Sequence, residues 1–114
     1  MNLDTVIFYT NDISKIIDFY QGLLNLEIEY RRDNEYVSFI FSNKVKLGIK
    51  KAIEERENPG SQTAIILLNN IDVFYQEVRN KNIVVYSELK NEDWGRTFSI
   101  LDIDGNKVEF LEKY

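Results

Sequence analysis

The sequence predicts an α+β fold: a single domain made of two βαβββ repeats, residues 3–50 and 63–114, joined by a linker over 51–62. Three observations lead there. Short apolar runs with period-two alternation recur between turn signals, as half-buried strands do. Two stretches, one after Asp12 and one after Asn70, switch to helical spacing. After a charged break containing Pro59 and Gly60, the same order of elements starts again.

Residues 4–10 read as a first strand, with Val6 and Phe8 on one face and Thr5, Ile7 and Tyr9 on the other. Asn11-Asp12 offers an N-cap, and Ile13, Ile16, Ile17, Tyr20 and Leu24 carry a helix to about residue 24. Strands follow over 26–32, 35–41 and 45–49, separated by turns at Asp33-Asn34 and Ser42-Asn43-Lys44. In the linker, Pro59 cannot donate to a sheet ladder and Gly60 favours a turn. The second half opens with a strand over 63–68, whose Ala64, Ile66 and Leu68 alternate with Thr63, Ile65 and Leu67. Asn69-Asn70 caps a helix with Ile71, Phe74, Tyr75 and Val78 on one face. A strand over 83–86 and a polar loop over 87–93 follow. The last two strands form a hairpin from Trp94 to Phe110, turning on Asp104-Gly105-Asn106, where glycine takes positive φ without steric cost.

Three matches in the same order support the repeat. Asn11-Asp12-Ile13 matches Asn69-Asn70-Ile71, and Phe19-Tyr20-Gln21 matches Phe74-Tyr75-Gln76. Asn43-Lys44-Val45-Lys46-Leu47 matches Asn106-Lys107-Val108-Glu109-Phe110. In each half the helix is expected to bury one sheet face, through Val6 and Phe8 or through Ala64, Ile66 and Leu68. The opposite face, with Ile7 and Tyr9 or with Ile65 and Leu67, is too apolar to stay fully wet. The halves, or two chains, are therefore expected to close over a shared cleft of the kind ligands use.

Composition narrows the function classes. With 14 basic and 19 acidic residues, the net charge is −5, which disfavours nucleic acid and suits either a cationic ligand or plain solubility. No apolar run approaches the roughly 20 residues that span a bilayer. The N-terminus lacks the basic-then-apolar order of a signal peptide. No membrane partner and a cytoplasmic location are the expectation. Cys is absent, so disulfides and thiolate chemistry are excluded. His is absent too, which removes a Ser-His-Asp triad and the usual neutral-pH base. No glycines are spaced as in dinucleotide or P-loop motifs.

The arrangement resembles the vicinal oxygen chelate superfamily, which includes glyoxalase I, the bleomycin-resistance proteins and the extradiol dioxygenases. The residues that carry the resemblance are Asn11-Asp12-Ile13 through Phe19-Tyr20, Leu23-Leu24-Asn25-Leu26, Asn70-Ile71 through Phe74-Tyr75, and the run from Trp94-Gly95-Arg96 to Glu109-Phe110. Ile103 stands where the family usually has Pro. The resemblance implies two sheets forming an incomplete barrel around a cleft. In metal-dependent members it also implies a metal ligand on the first and last strand of each half. Those positions match Thr5, Thr63, Glu109 and Lys46, or Gly48 in place of Lys46 if the fourth strand's register slips by two. Two hydroxyls, one carboxylate and a cation make a poor donor set for a divalent ion. No metal and no cofactor are expected.

Glu109 then has two readings. It forms an ion pair with Lys46, or it is a cleft carboxylate that binds a cationic group or, if any residue is catalytic, acts as a general base. Trp94, the single Trp, is either a lid or core anchor, or a stacking surface for a flat ligand. In bleomycin-resistance proteins a Trp of this hairpin packs on the ligand. Ile7, Tyr9 and Ile65 are expected to line the site, with Arg96 either holding an acidic partner or ligand or serving as a solvated or structural Arg. Tyr36 and Tyr86 read as cleft-lining or sheet-packing residues. The expected function is metal-independent binding of a small aromatic or cationic molecule, as in the bleomycin-resistance proteins. The alternative is a glyoxalase, lyase or dioxygenase-type enzyme of the same superfamily. The resemblance and length imply a homodimer, swapped or unswapped.

Overall fold

The computed structural model describes residues 1–114 and divides the chain into two compact units, Met1–Gly60 and Ser61–Tyr114. The first unit holds β1 (Thr5–Thr10), α1 (Ile13–Ile17), β2 (Glu27–Arg32), β3 (Tyr36–Ile40) and β4 (Lys46–Lys51). The second holds β5 (Thr63–Leu67), α2 (Ile71–Arg79), β6 (Val84–Glu92), β7 (Gly95–Leu101) and β8 (Lys107–Lys113). Each unit is a four-stranded mixed sheet, ordered β1-β4-β3-β2 and β5-β8-β7-β6. In both, the first strand runs parallel to the last, and the other neighbours are antiparallel. The expected βαβββ order is thus present in each unit. No helix is long and apolar enough to cross a membrane.

In the first unit α1 starts where the sequence places it. Asp12 is extended, and its carboxylate accepts the Lys15 N–H at 3.0 Å. Beyond Ile17 the helix differs from expectation, because residues Asp18–Leu23 wind as a π-helix. The wider turn brings the consecutive Phe19 and Tyr20 both into the core, edge to face at 5.0 Å. Tyr20 meets Phe39 at 5.6 Å, and Phe8, Val37, Leu47 and Ile49 are buried as well. Val6, expected under the helix, is 42% exposed, and Phe8 and Thr10 take that face alone. The reason is position: β1 is an edge strand and α1 lies over β3 and β4.

The linker is less of a free connector than its composition suggests. Glu57 is buried and accepts the Lys50 ammonium at 2.6 and 2.8 Å, and the N–H groups of Ile53 and Glu54 at 2.9 and 3.0 Å. Lys50, with those two N–H groups, pulls the Glu57 carboxyl down to about 2.

In the second unit Phe98 stacks on Phe110 at 5.0 Å, and both meet Phe74 of α2. Two expectations fail here. Asn70 adopts φ 57° and its side chain does not cap α2. A left-handed backbone does not aim a side chain back at the first turn, and the Glu112 carboxylate takes the Ile71 N–H instead, at 2.7 Å. The polar loop over 87–93 is also mostly strand, since β6 continues to Glu92. As an edge strand paired only with β7, it can leave polar side chains in water, and two register shifts absorb its irregularity.

The strand registers fix how the halves correspond. Ile7 pairs with Gly48 as Ile65 pairs with Glu109, and Ser38 faces Gly48 as Ser99 faces Glu109. Gly48, not Lys46, is therefore the counterpart of Glu109, and Lys46 answers to Lys107. The Asn-Lys-Val match was two residues out of step. Backbone geometry explains why: the left-handed position of the turn is Lys44 (φ 71°) in one hairpin and Gly105 (φ 93°) in the other. The turn bonds agree, Lys44 N–H to the Phe41 carbonyl and Gly105 N–H to the Asp102 carbonyl.

Candidate functional site

Phe98, Ile100, Val108 and Phe110 point toward α2 and are fully or nearly fully buried. Period-two alternation therefore sends Ser99 and Glu109 to the face turned away from α2, where they are direct cross-strand partners. Ile65, 62% exposed, lies beside Glu109 on β5. The Glu109 side chain is partly exposed, and its ion-pair partner is Lys107 at a long 4.0 Å. The Lys107 ammonium also sits 5.5 Å above the Tyr86 ring. Ser99 is 1% exposed, and its hydroxyl has no hydrogen-bond partner.

The corresponding face of the first unit is built differently. Lys46 lies 3.2 Å from Glu29 and 3.7 Å from Asp4, and Ser38 donates to the Glu29 carboxylate at 3.1 Å. The Thr5 hydroxyl donates to Asp4 at 2.6 Å. Glu29, and then Asp4, hold the Lys46 ammonium above its usual range against partial desolvation. The Thr5 hydroxyl, with Lys46, holds Asp4 below the carboxylate range. Over Gly48 lies the Tyr36 hydroxyl, which would collide with a β-carbon there, and Ile7 Cδ1 would be only 2.7 Å away. Burial, with Glu29 nearby, pushes the Tyr36 hydroxyl up. The expected partner of Lys46 was Glu109. The partners found are Glu29 and Asp4, and Glu109 is matched with Lys107.

The remaining predicted residues are scattered. Trp94 is 58% exposed in the turn between β6 and β7. Its neighbour Gly95 pairs with Lys113 while Ser99 pairs with Glu109, so a five-residue step along the strand, about 17 Å, separates Trp94 from the rung of Glu109. Arg96 is on the helix side of β7, ion-paired with Asp72 at the start of α2 and donating to Asn91 at 3.0 Å. Asp72 holds the Arg96 guanidinium above its usual range. Tyr9 and Ile7 share the face of Gly48, Tyr9 paired with Lys50. The second unit thus joins Glu109 and Ile65, and the first joins Ile7 and Tyr9. Arg96 shares a face with neither group. Sequence reasoning missed Ser99 and Glu29. A serine set between Phe98 and Ile100 was the available signal for the first; Glu29 is the extra residue of a bulge between Ile28 and Tyr30, which no pattern announces.

The positions at which the resemblance implies metal ligands offer little here. Thr5 is engaged by Asp4, Gly48 has no donor and is covered by Tyr36, and Thr63 and Glu109 supply a hydroxyl and one carboxylate. No group of three or more Asp, Glu, His or Cys is arranged to hold a metal ion. This donor set does not fit a family-type divalent site.

A search of curated proteins gives no significant match. Solved structures do resemble the chain. TnmS3, an antibiotic binding protein from Streptomyces sp. CB03234, superposes with a TM-score of 0.90 at 17% identity, covering 100% of this chain and 97% of that one. TioX from Micromonospora sp. ML1 gives 0.83 at 10% identity with 100% of both chains covered. A lactoylglutathione lyase from Agrobacterium tumefaciens gives 0.81 at 17% identity, covering 97% and 92%. At such identities the likeness is one of fold. The sequence model of the Glyoxalase/Bleomycin resistance protein/Dioxygenase superfamily matches residues 2–110, and the chain belongs to that superfamily.

Proposed function

We propose that the chain binds a small aromatic or cationic molecule without a metal, using Glu109 as its polar anchor. The observation that carries this reading is the state of Glu109. It is the one carboxylate among the four family ligand positions, it lies beside the exposed Ile65, and its nearest cation is 4.0 Å away. A carboxylate so loosely held keeps acceptor capacity for an incoming N–H or O–H group. The same fold in TnmS3, an antibiotic binding protein, supports the same direction. Trp94, on the same unit, is the further contact proposed. Arg96, engaged by Asp72, is left out. A homodimer in the cytoplasm is the assembly and location that go with this reading.

Metal analysis of the purified protein tests it first. We expect no stoichiometric metal, and one equivalent of zinc, nickel, iron or manganese would overturn the reading. Calorimetric titration with planar aromatic amines should show binding that Glu109→Gln weakens about tenfold or more, the loss of one charge-assisted hydrogen bond. The enzyme alternative rests on Glu109 as a general base and predicts turnover of a glutathione hemithioacetal, which Glu109→Gln would abolish.

A further inference from the structure

Ser99 is the one side chain with a buried polar atom that has no hydrogen-bond partner. Buried hydroxyls are almost always paired, and one left unpaired costs stability. Its counterpart in the first unit shows what is missing. Ser38 donates to Glu29, which occupies the bulge between Ile28 and Tyr30. The corresponding bulge, between Val85 and Ser87, carries Tyr86. Tyr86 has no carboxylate to offer, is 61% exposed, and stacks under Lys107. The chain has therefore replaced the partner of this serine while keeping the serine. On its other side, in direct cross-strand register, stands Glu109.

We propose that Ser99 and Glu109 together receive the ligand's donor group, a protonated amine on an apolar or aromatic frame. This inference rests on the small-molecule reading above and names the chemistry that its site selects. An ammonium has three donors and no acceptor. One N–H goes to the Glu109 carboxylate and a second to a lone pair of Ser99 Oγ. The Ser99 hydroxyl hydrogen is then free to donate to the other carboxylate oxygen, so that Ser99 and Glu109 are both satisfied. Ile65 supplies apolar contact at the same rung. Lys107 is the competing cation, and its 4.0 Å separation from Glu109 and its stacking on Tyr86 leave it displaceable. Ser99 is 1% exposed, so the side chains over it must shift as the amine enters.

The test is calorimetric titration with doxorubicin, a planar quinone bearing an aliphatic ammonium, and with its aglycone, which lacks the amine. The parent protein should bind doxorubicin at least tenfold more tightly than the aglycone. Ser99→Ala should weaken doxorubicin binding about tenfold, leave aglycone binding unchanged, and leave thermal stability equal or higher, because an unpaired hydroxyl has been removed. A structural role for Ser99 predicts the opposite pattern, lower stability with unchanged relative affinities, and that result overturns the inference. Equal doxorubicin affinity in parent and Ser99→Ala also overturns it while leaving the binding reading intact. Failure of the parent to bind either compound overturns both.

Discussion

In the first unit, Lys46 is neutralised by Glu29 and Asp4, Ser38 donates to the same Glu29, and Tyr36 fills the space over Gly48. In the second, the corresponding Lys107 stacks on Tyr86, the corresponding Ser99 has no partner, and Glu109 stands where the first unit has a bare backbone. The frames are the same, down to a bulge in the edge strand. What differs is whether the polar groups on the face away from the helix satisfy one another. On the first face the hydrogen bonds are internally complete; on the second a buried hydroxyl is orphaned and a carboxylate is loosely paired, which is the contrast the proposed ligand site rests on. The two units differ at the positions of Glu29/Tyr86 and Gly48/Glu109.

The comparison can be pressed from the largest effect downward. Phe98 meets Phe74, Tyr75 and Phe110, whereas Phe39 has one aromatic neighbour, Tyr20. Phe98→Ala should cost about 3–5 kcal/mol in urea unfolding, and Phe39→Ala should fall at the lower end of that range. Gly48→Glu would make the first unit imitate the second. It should destabilise by about 1–3 kcal/mol through overpacking, with partial recovery when Tyr36→Phe removes the colliding hydroxyl. The helix starts differ as well. Asp12→Ala removes a local cap from α1 and Glu112→Ala a remote one from α2, each lowering stability by about 1 kcal/mol. Equal losses would show that α2 depends on β8 for the service α1 obtains from its own sequence.

Two smaller effects sharpen the contrast. Tyr86→Glu gives Ser99 and Lys107 the partner that Ser38 and Lys46 already have. It should stabilise the protein by about 0.5–1.5 kcal/mol in thermal unfolding while weakening ligand binding. The Lys50–Glu57 latch has no counterpart in the second unit's described ion pairs, and its signature lies in pH dependence. The Glu57 carboxyl is held at about 2 when folded, against an ordinary 4.5. Its stabilising contribution is present above pH 4.5 and is lost as pH falls toward 2. Glu57→Gln should lower the thermal midpoint by several degrees at pH 7 and flatten the acid limb between those values. An acid limb unchanged in the variant would remove the latch from the account of this unit.

Much of the frame was legible in residues that obey period-two or helical spacing. Ile13, Ile16 and Ile17 and the alternation through Phe98, Ile100, Val108 and Phe110 needed no structure, because burial imposes their pattern. What misled was matching by letter. Asn43-Lys44-Val45 and Asn106-Lys107-Val108 look alike, yet the backbone turns at Lys44 and at Gly105, and a lysine in a left-handed position gives no sequence signal. Asn70 read as a cap by residue type, while the group that bonds Ile71 comes from Glu112, far along the chain. The polar run of β6 read as a loop because an edge strand need not alternate. Of the proposed site, Glu109 and Ile65 were named from sequence and share a face, while Arg96, read as holding an acidic partner or as structural, lies on the helix side with Asp72.

By itself the sequence determined the superfamily, the duplicated βαβββ order, the chemistry excluded by the lack of His and Cys, and the singling out of Glu109. These follow from local periodicity and composition, which act through neighbours along the chain. Only the tertiary structure decided that Gly48 is the counterpart of Glu109, that Lys46 belongs to Glu29 and Asp4, and that Ser99 is left without a partner. Those facts depend on strand register, where a slip of a single residue sends every side chain to the other face, and register is set by turns and bulges that apolar pattern does not encode.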